Sequence, residues 1–210
     1  MPSVDYYIQN MISTIREKGF HHQRILDAMR KTPRHHFVPK GTSLVEAYAD
    51  RPVPLGEEQT ISQPSTVAFM LDLLELSAGL HVLEVGTGTG WNAALIKHLI
   101  GAKGDITTLE CIPHLAKAAA LILAKLNLDV NVIQGDGSRG YPPKAPYDRI
   151  IVTCAAPFIY SAWTEQLNPA GIIVAPIGAY HQEMIKAIKH ENDFSVQRHG
   201  LFRFVPLRVM

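Results

Sequence analysis

The sequence has few of the features that mark secreted, metal-bound or membrane-embedded chains. Its 210 residues include only two cysteines, Cys111 and Cys154, which are not at metal-ligand spacing, so neither a disulfide framework nor a metal site is expected. No apolar run approaches the length of a bilayer span, and the first ten residues have no leading basic cluster. We therefore expect a cytoplasmic protein with no membrane partner.

Neither positive nor negative charge is in clear excess. The chain has 20 basic and 19 acidic residues, and no run of five or more like charges. Such a balance gives no general attraction to nucleic acid, so we expect no nucleic-acid partner. Hydrophobic residues make up 47%, which is enough for a substantial core. The length predicts a single domain, which we expect to be monomeric.

What is present is an alternation of short apolar runs and helical stretches after Gly79. Strands are predicted at His81–Val85, Ile106–Leu109, Val130–Ile133, Arg149–Thr153 and 172–176, with helices at Trp91–Ile100, Leu115–Leu126 and about 159–167. Strands that alternate with helices indicate an α/β fold with a mostly parallel sheet and helices on both faces. Within the single domain 1–210, we assign the cofactor-binding core to 79–178.

The two flanking segments are less regular. Residues 1–78 begin with two helices over 4–30, continue with an extended stretch at Arg34–Pro39 and an irregular one at 40–64, and end in a helix near 64–76. So long an irregular stretch in a compact domain is either functional or wrongly predicted. Residues 179–210 contain two strand-like runs, Met184–Ile188 and Phe202–Leu207. We expect both to extend the sheet in antiparallel fashion.

The strongest local signal is a glycine-rich turn between the first core strand and its helix. Gly86, Thr87, Gly88 and Gly90 form a G-x-G-x-G pattern. Glycine lets the backbone approach a ligand closely, and the following helix presents free N–H groups. A dinucleotide enzyme needs its third glycine one place later, where Trp91 stands. The turn therefore predicts a nucleoside cofactor, with a simple tight strand–helix turn as the structural alternative.

Three acidic residues lie at or near the ends of core strands, where open α/β sheets bind ligands. Glu110 can accept hydrogen bonds from a ribose diol. Asp136 either binds an adenine amino group or holds its own Asp-Gly turn together with Gly137. Glu84 either satisfies N–H groups of the turn or meets the positive end of the cofactor.

The rest of the chain resembles one family over nearly its full length. The matching segments include Arg24–Met29, Phe37–Pro39, Asp50–Pro52, Gln59–Pro64, Gly135–Gly137, Tyr147–Thr153, Ala155–Pro157 and Phe204–Leu207. Together with the glycine turn, these segments resemble protein-L-isoaspartate O-methyltransferases, whose most specific signature is Gln59-Thr60-Ile61-Ser62. The resemblance implies a class I, Rossmann-like methyltransferase.

The resemblance also implies the reaction and its participants. The family methylates the α-carboxylate of L-isoaspartyl residues in damaged proteins and peptides with S-adenosylmethionine, and the ester then cyclises to a succinimide. The resemblance also implies that Gln59 and Thr60 lie beside the cofactor. The resemblance further implies that the substrate contacts are Thr60, Ile61, Ser62 and Val205, that Ser62 is the catalytic residue, and that residues 1–78 form the substrate-binding and active-site segment.

The same resemblance leaves several points open. Ser62 also lies just before a helix, so an N-cap role is the structural alternative. Arg34 and Arg203 are predicted to form structural ion pairs, with substrate contact as the alternative. Glu58 stands where the family usually has glycine, and beside Glu57 it would repel an anionic substrate if both pointed inward.

Two other functions remain possible at this point. A class I methyltransferase acting on another small acceptor would keep the glycine turn, Glu110 and Asp136, but has no reason to keep Gln59–Ser62. A non-catalytic relative that binds cofactor or isoaspartyl protein without turnover is supported only by Glu57 and Glu58.

Overall fold

A seven-stranded sheet with helices packed against it organises the chain. The computed structural model describes residues 2–191 and 193–210. The strands are β1 (Val53–Gly56), β2 (Gln59–Ile61), β3 (His81–Val85), β4 (Asp105–Glu110), β5 (Asn131–Gln134), β6 (Tyr147–Val152), β7 (Leu167–Ile177), β8 (Gln182–Lys189) and β9 (Phe194–Phe202). The α-helices are α1 (Val4–Glu17), α2 (Gln23–Lys31), α3 (Leu44–Tyr48), α4 (Pro64–Leu73), α5 (Trp91–Ile100), α6 (Pro113–Lys125) and α7 (Ser161–Glu165).

The large sheet is mostly parallel, as the alternation of strands and helices predicted. Its order is β5-β4-β3-β6-β7-β8-β9. The first five strands in that order pair in parallel, and β8 and β9 are added antiparallel. Strand order reverses beside β3, so the carboxyl ends of β3, β4 and β6 open into one crevice.

Each face of the sheet carries its own core, which explains the near-continuous apolar runs of the parallel strands. Val82 of β3 belongs to a buried cluster formed with α1, α2, α4 and α5. The next residue, Leu83, belongs to a second cluster that includes Trp163 of α7. Successive side chains of a strand point to opposite faces, so β3 is buried on both sides. A shift of β3 by one residue would disturb both cores.

The segment predicted to be extended and irregular is largely regular. Arg34–His36 form a 3-10 helix, Leu44–Tyr48 form α3, and β1 pairs antiparallel with β2 in a hairpin. The predictions for 34–39 and 40–64 are therefore wrong. The hairpin was hidden because its turn residues, Glu57 and Glu58, both have positive φ (50° and 60°), a conformation usually signalled by Asn or Gly.

The second C-terminal strand was also placed wrongly. The first predicted run lies within β8, but the last strand is β9, Phe194–Phe202, which ends where the predicted strand Phe202–Leu207 begins. After β9 the chain leaves the sheet, and only Pro206 forms an isolated bridge, to Ala155. An exposed edge strand needs little apolar patterning, whereas the apolar residues that follow it pack against the two hydrophobic cores.

Ala170, within β7, has a positive φ of 59° and an exposed side chain. A left-handed conformation costs a Cβ-bearing residue roughly 1–2 kcal/mol, against about 0.5–1 kcal/mol of extra chain entropy lost by glycine on folding. Ala170→Gly is therefore expected to raise the free energy of unfolding by up to about 1 kcal/mol. In urea denaturation the matched control, Ala120→Gly at an exposed site in α6, should be destabilised by about 1 kcal/mol. Equal losses in both variants would contradict the strain argument.

Across the described part of the chain, no helix combines the length and the apolar character needed to cross a membrane.

Candidate functional site: a donor cavity joined to an acceptor cleft

The crevice at the carboxyl ends of the parallel strands holds a cavity, here called the donor cavity. The space between its walls, counting the solvent at its open mouth, is about 870 Å³. Its walls come from β2, the glycine turn, the ends of β4 and β6, and the tail after β9. The lining includes Gln59, Thr60, Ile61, Ser62, Val67, Met70, Gly86, Thr87, Gly88, Thr89, Trp91, Asn92, Glu110, Cys111, Gly137, Thr153, Cys154, Val205, Pro206, Leu207 and Arg208.

Gly86 begins the turn, and no larger residue fits there. It has a φ of 96°, and a Cβ at this position would lie 2.4 Å from the Oγ1 of Thr153. That hydroxyl donates to the Gly86 carbonyl at 2.5 Å, so this hydrogen bond joins the glycine turn to the segment that follows β6. This close approach leaves the backbone of the turn facing the cavity, which is the arrangement that a nucleoside ligand requires.

Glu110 ends β4 and lies on the cavity wall with only 6% of its surface exposed. Its Oε2 accepts from the N–H of Gly88 at 2.8 Å, and its Oε1 accepts from the N–H of Ile112 at 3.0 Å. Each carboxylate oxygen has further lone pairs. Glu110 thus fixes the glycine turn and can still accept hydrogen bonds from a diol in the cavity.

Glu84 lies beneath the cavity and does not line it. It is fully buried, its Oε1 accepts from the Nδ2 of Asn92 at 2.7 Å, and its Oε2 accepts from the Oγ1 of Thr108 at 2.5 Å. Burial raises the pKa of Glu84 to about 7, although the two hydrogen bonds oppose the shift. The carboxylate of Glu84 therefore accepts from two side chains and not from the turn N–H groups, and its contact with the cofactor stays a prediction. Glu84 instead holds Asn92, which does line the cavity.

Two further predicted cofactor residues lie outside the donor cavity. The Oδ1 of Asp136 accepts from the N–H and the hydroxyl of Ser138, at 2.9 and 2.7 Å, so this carboxylate holds its own turn. Gly90 packs against α6, where an added Cβ would lie 3.2 Å from Leu123. By contrast, Gly137 does line the cavity, and a Cβ there would lie 2.4 Å from Val85.

A second depression, here called the acceptor cleft, opens beside the donor cavity. The two share Thr60, Ser62, Thr153 and Val205. The cleft is also lined by Lys18, Pro52, Gln63, Ser65, Thr66, Phe202, Arg203 and Phe204. Ile61, a predicted substrate residue, is buried and contributes to the donor cavity only.

Ser62 stands at the junction and is not a helix cap. The N-cap of α4 is Gln63, which makes no side-chain capping bond. The next residues are fixed by Asp50, whose carboxylate accepts from the side chain of Gln63 at 3.0 Å and from the N–H of Ser65 at 2.8 Å. Burial favours a higher pKa for Asp50, but hydrogen bonds from Lys18, Gln63 and Ser65 outweigh it and lower the pKa. The backbone around Ser62 is thus held next to a charged network.

The glutamates of the hairpin turn lie at the rim, away from the junction. The backbone carbonyl of Glu57 accepts from the Nη2 of Arg208 at 2.7 Å. Its carboxylate lies 3.6 Å from the Nδ1 of His114 and 4.0 Å from the Nη1 of Arg208. Glu58 is exposed. The carboxylate of Glu57 therefore faces basic side chains at the mouth of the donor cavity.

Several lining residues were missed by the sequence predictions. Thr153 directly follows β6, and Glu110 is the last residue of β4. Because open α/β sheets bind ligands at the carboxyl ends of their strands, Thr153 could have been identified in the same way as Glu110. Asn92 and Cys111 each adjoin a residue singled out from the sequence. Arg208 carried no signal, because its place depends on how the tail folds back toward the hairpin.

Comparisons with known proteins agree on one family. The family model described as protein-L-isoaspartate(D-aspartate) O-methyltransferase matches residues 7–209. A protein-L-isoaspartate O-methyltransferase of Pyrococcus horikoshii is 45% identical over 189 residues, covering 88% of this chain and 84% of that protein. A solved structure of the same name is 28% identical with a TM-score of 0.88, covering 95% of this chain and 65% of that one.

A second solved structure shares the fold. It comes from Plasmodium falciparum and is described as a candidate protein-L-isoaspartate O-methyltransferase in complex with S-adenosyl-L-homocysteine. It is 18% identical to this chain, with a TM-score of 0.82, and covers 95% of this chain and 97% of that one.

Proposed function

The chain belongs to the protein-L-isoaspartate(D-aspartate) O-methyltransferase family, and we propose that its joined donor cavity and acceptor cleft carry out methyl transfer to isoaspartyl residues. The enzyme uses S-adenosylmethionine and esterifies the α-carboxylate of L-isoaspartyl residues in damaged proteins and peptides. The ester then cyclises to a succinimide, which opens partly to normal aspartate. The observation that supports this best is that both depressions meet at Ser62.

The donor cavity fits a nucleoside with an amino-acid tail. Glu110 offers lone pairs to a ribose diol, and Gly86 lines the same cavity. Gly137 also lines this cavity, and its lack of a side chain lets the backbone pass close to Val85. We propose that Gln59, Thr60, Thr87 and Gly88 complete this site, since they line the same cavity.

On the acceptor side, we propose that Ser62 orients the isoaspartyl carboxylate. S-adenosylmethionine supplies a methyl group activated by its sulfonium charge. A carboxylate is ionised at neutral pH, so the chain needs no strong general base. Its residues contribute mainly by holding the acceptor oxygen in line with the methyl group and by excluding water. Thr60 and Val205, which line both depressions, complete the substrate contacts.

Selectivity for the damaged linkage is the direct test of this function. The purified protein, given labelled S-adenosylmethionine, is expected to methylate an L-isoaspartyl peptide at least about tenfold faster than the L-aspartyl peptide of the same sequence. The two isomers differ in the position of the carboxylate relative to the backbone, and a site with fixed geometry accepts only one. Equal rates on both peptides would show that the chain is not a repair enzyme.

We also propose that residues 1–210 form one domain and that the protein acts as a monomer in the cytoplasm. The two cysteines are free thiols, which suits a reducing compartment. Limited proteolysis, light scattering and fractionation test these three proposals separately.

A further inference from the structure

Arg34 is a charged side chain with no exposed surface, and the proposed mechanism gives it no role. All of its hydrogen-bond partners are backbone carbonyls, so the ion pair predicted from the sequence is wrong. Desolvation by burial lowers the pKa of Arg34 to about 10, while the charge of Asp50 opposes the shift. The guanidinium therefore stays protonated at neutral pH.

The guanidinium reaches two separate parts of the chain. Its Nη1 donates to the carbonyl of Ala47 at 2.5 Å, at the end of α3. Its Nη2 lies 3.0 Å from the carbonyl of Ser62 and 3.2 Å from that of Arg51. Arg34 thus holds the backbone of Ser62, the residue at the junction of the two depressions.

The flat face of the same guanidinium lies over Trp91. The Cζ of Arg34 is 5.3 Å from the ring centroid, within the range of a cation–π contact. Trp91 begins α5 and lines the donor cavity, and its indole N–H donates to the carbonyl of Thr32 at 3.0 Å. One buried cation therefore touches a donor-side wall and an acceptor-side backbone group at once.

We propose that Arg34 is a positioning residue for methyl transfer, which fixes Ser62 against the donor cavity by holding its carbonyl while stacking on Trp91. This inference rests on the proposed function. It follows from the geometry of the guanidinium, which is planar, donates in several directions and stacks on aromatic rings. A lysine ammonium does not combine these three properties, because it is not planar.

The test replaces Arg34 with lysine, which keeps the positive charge but lacks the planar guanidinium and its several N–H donors. With saturating peptide and cofactor, kcat of Arg34→Lys is expected to fall by about tenfold, because misplacement of reacting groups by a fraction of an ångström lowers the rate. The KM for the peptide and the affinity for S-adenosylhomocysteine should change less than kcat does. Unchanged kcat in the folded variant would overturn the proposal.

Arg24→Lys is the matched control. Arg24 also binds two carbonyls, those of Leu76 at 3.0 Å and Leu99 at 2.9 Å, but neither residue lines the donor cavity or the acceptor cleft. Both variants should lose thermal stability, and only Arg34→Lys should lose turnover at a temperature where both are folded. A loss of kcat that simply follows the melting temperature in both variants would contradict a positioning role.

Two further measurements keep the result decisive. Hydrogen–deuterium exchange of the backbone over 59–63 should be faster in Arg34→Lys than in wild type or Arg24→Lys, and this readout needs no activity. An inactive wild type with that exchange pattern would refute the proposed function and leave the Arg34 contact intact. Arg34→Gln serves as a second variant, and failure of both Arg34 variants to fold while Arg24→Lys folds would assign Arg34 to the fold alone.

Discussion

Replacing Ser62 with alanine is expected to lower turnover of an isoaspartyl peptide by roughly 10- to 1000-fold, the range for loss of one positioned hydrogen-bond donor. Ser62 lines both the donor cavity and the acceptor cleft, and α4 takes its N-cap from Gln63 instead. Because the hydroxyl acts on the acceptor, the affinity for S-adenosylhomocysteine should barely change. Steady-state kinetics and calorimetry on one purified variant measure the two quantities.

Ser43→Ala is the control for a purely structural serine. Ser43 caps α3, with its Oγ accepting from the N–H of Glu46 at 3.2 Å. Its loss should lower the free energy of unfolding by about 1 kcal/mol and leave turnover of the folded enzyme unchanged. If Ser62→Ala behaved like this control, destabilised but active, Ser62 would have no part in catalysis.

Replacing Glu110 with alanine is expected to weaken binding of S-adenosylmethionine and S-adenosylhomocysteine by about 1–3 kcal/mol, or roughly 5- to 150-fold in Kd. The variant loses the acceptor for the ribose diol and also releases the N–H groups of Gly88 and Ile112. Isothermal titration calorimetry measures the loss directly.

The control for Glu110 lies at the other end of the same strand. Asp105 begins β4, at the end of the strand opposite to Glu110 and the donor cavity. Its carboxylate lies 3.4 Å from His81 and 3.6 Å from Lys144. Asp105→Ala should leave cofactor affinity unchanged. Glu110→Gln, which keeps shape and one acceptor oxygen, should bind with intermediate affinity. Wild-type affinity in Glu110→Ala would remove this residue from the site.

The parallel core of the fold could be predicted because its strands are buried on both faces. Such strands appear as short apolar runs, and β3, β4 and β6 were each placed within two residues of their observed ends. The glycine turn and Glu110 follow from this placement, since strand ends in one sheet meet at one edge.

The segments outside the core were harder to predict for physical reasons. The hairpin of β1 and β2 turns through Glu57 and Glu58, which give no turn signal, and β9 is an exposed edge with little alternation. In both cases tertiary contacts decide the local structure. The resemblance of Gln59–Ser62 to a known family predicts an active segment that periodicity does not reveal.

The side chains of the site show the same division. Sequence position placed Glu84 and Asp136 near the donor cavity, but not the direction of their carboxylates. Glu84 faces Asn92 and Thr108, and Asp136 faces Ser138. Strand ends specify where a residue lies, whereas the partner that satisfies a buried carboxylate depends on packing across elements.

The walls of the donor cavity include three segments that lie far apart along the chain: residues 59–62, the turn after β3, and residues 205–208. A ribosome delivers these parts in that order, and domains fold as synthesis proceeds. The sheet can therefore form while the cavity still lacks a wall, and we expect S-adenosylmethionine to stabilise mainly chains in which residues 205–208 have folded into place. Chains stalled before residue 205 are therefore expected to gain less protection from the cofactor than chains that include the tail.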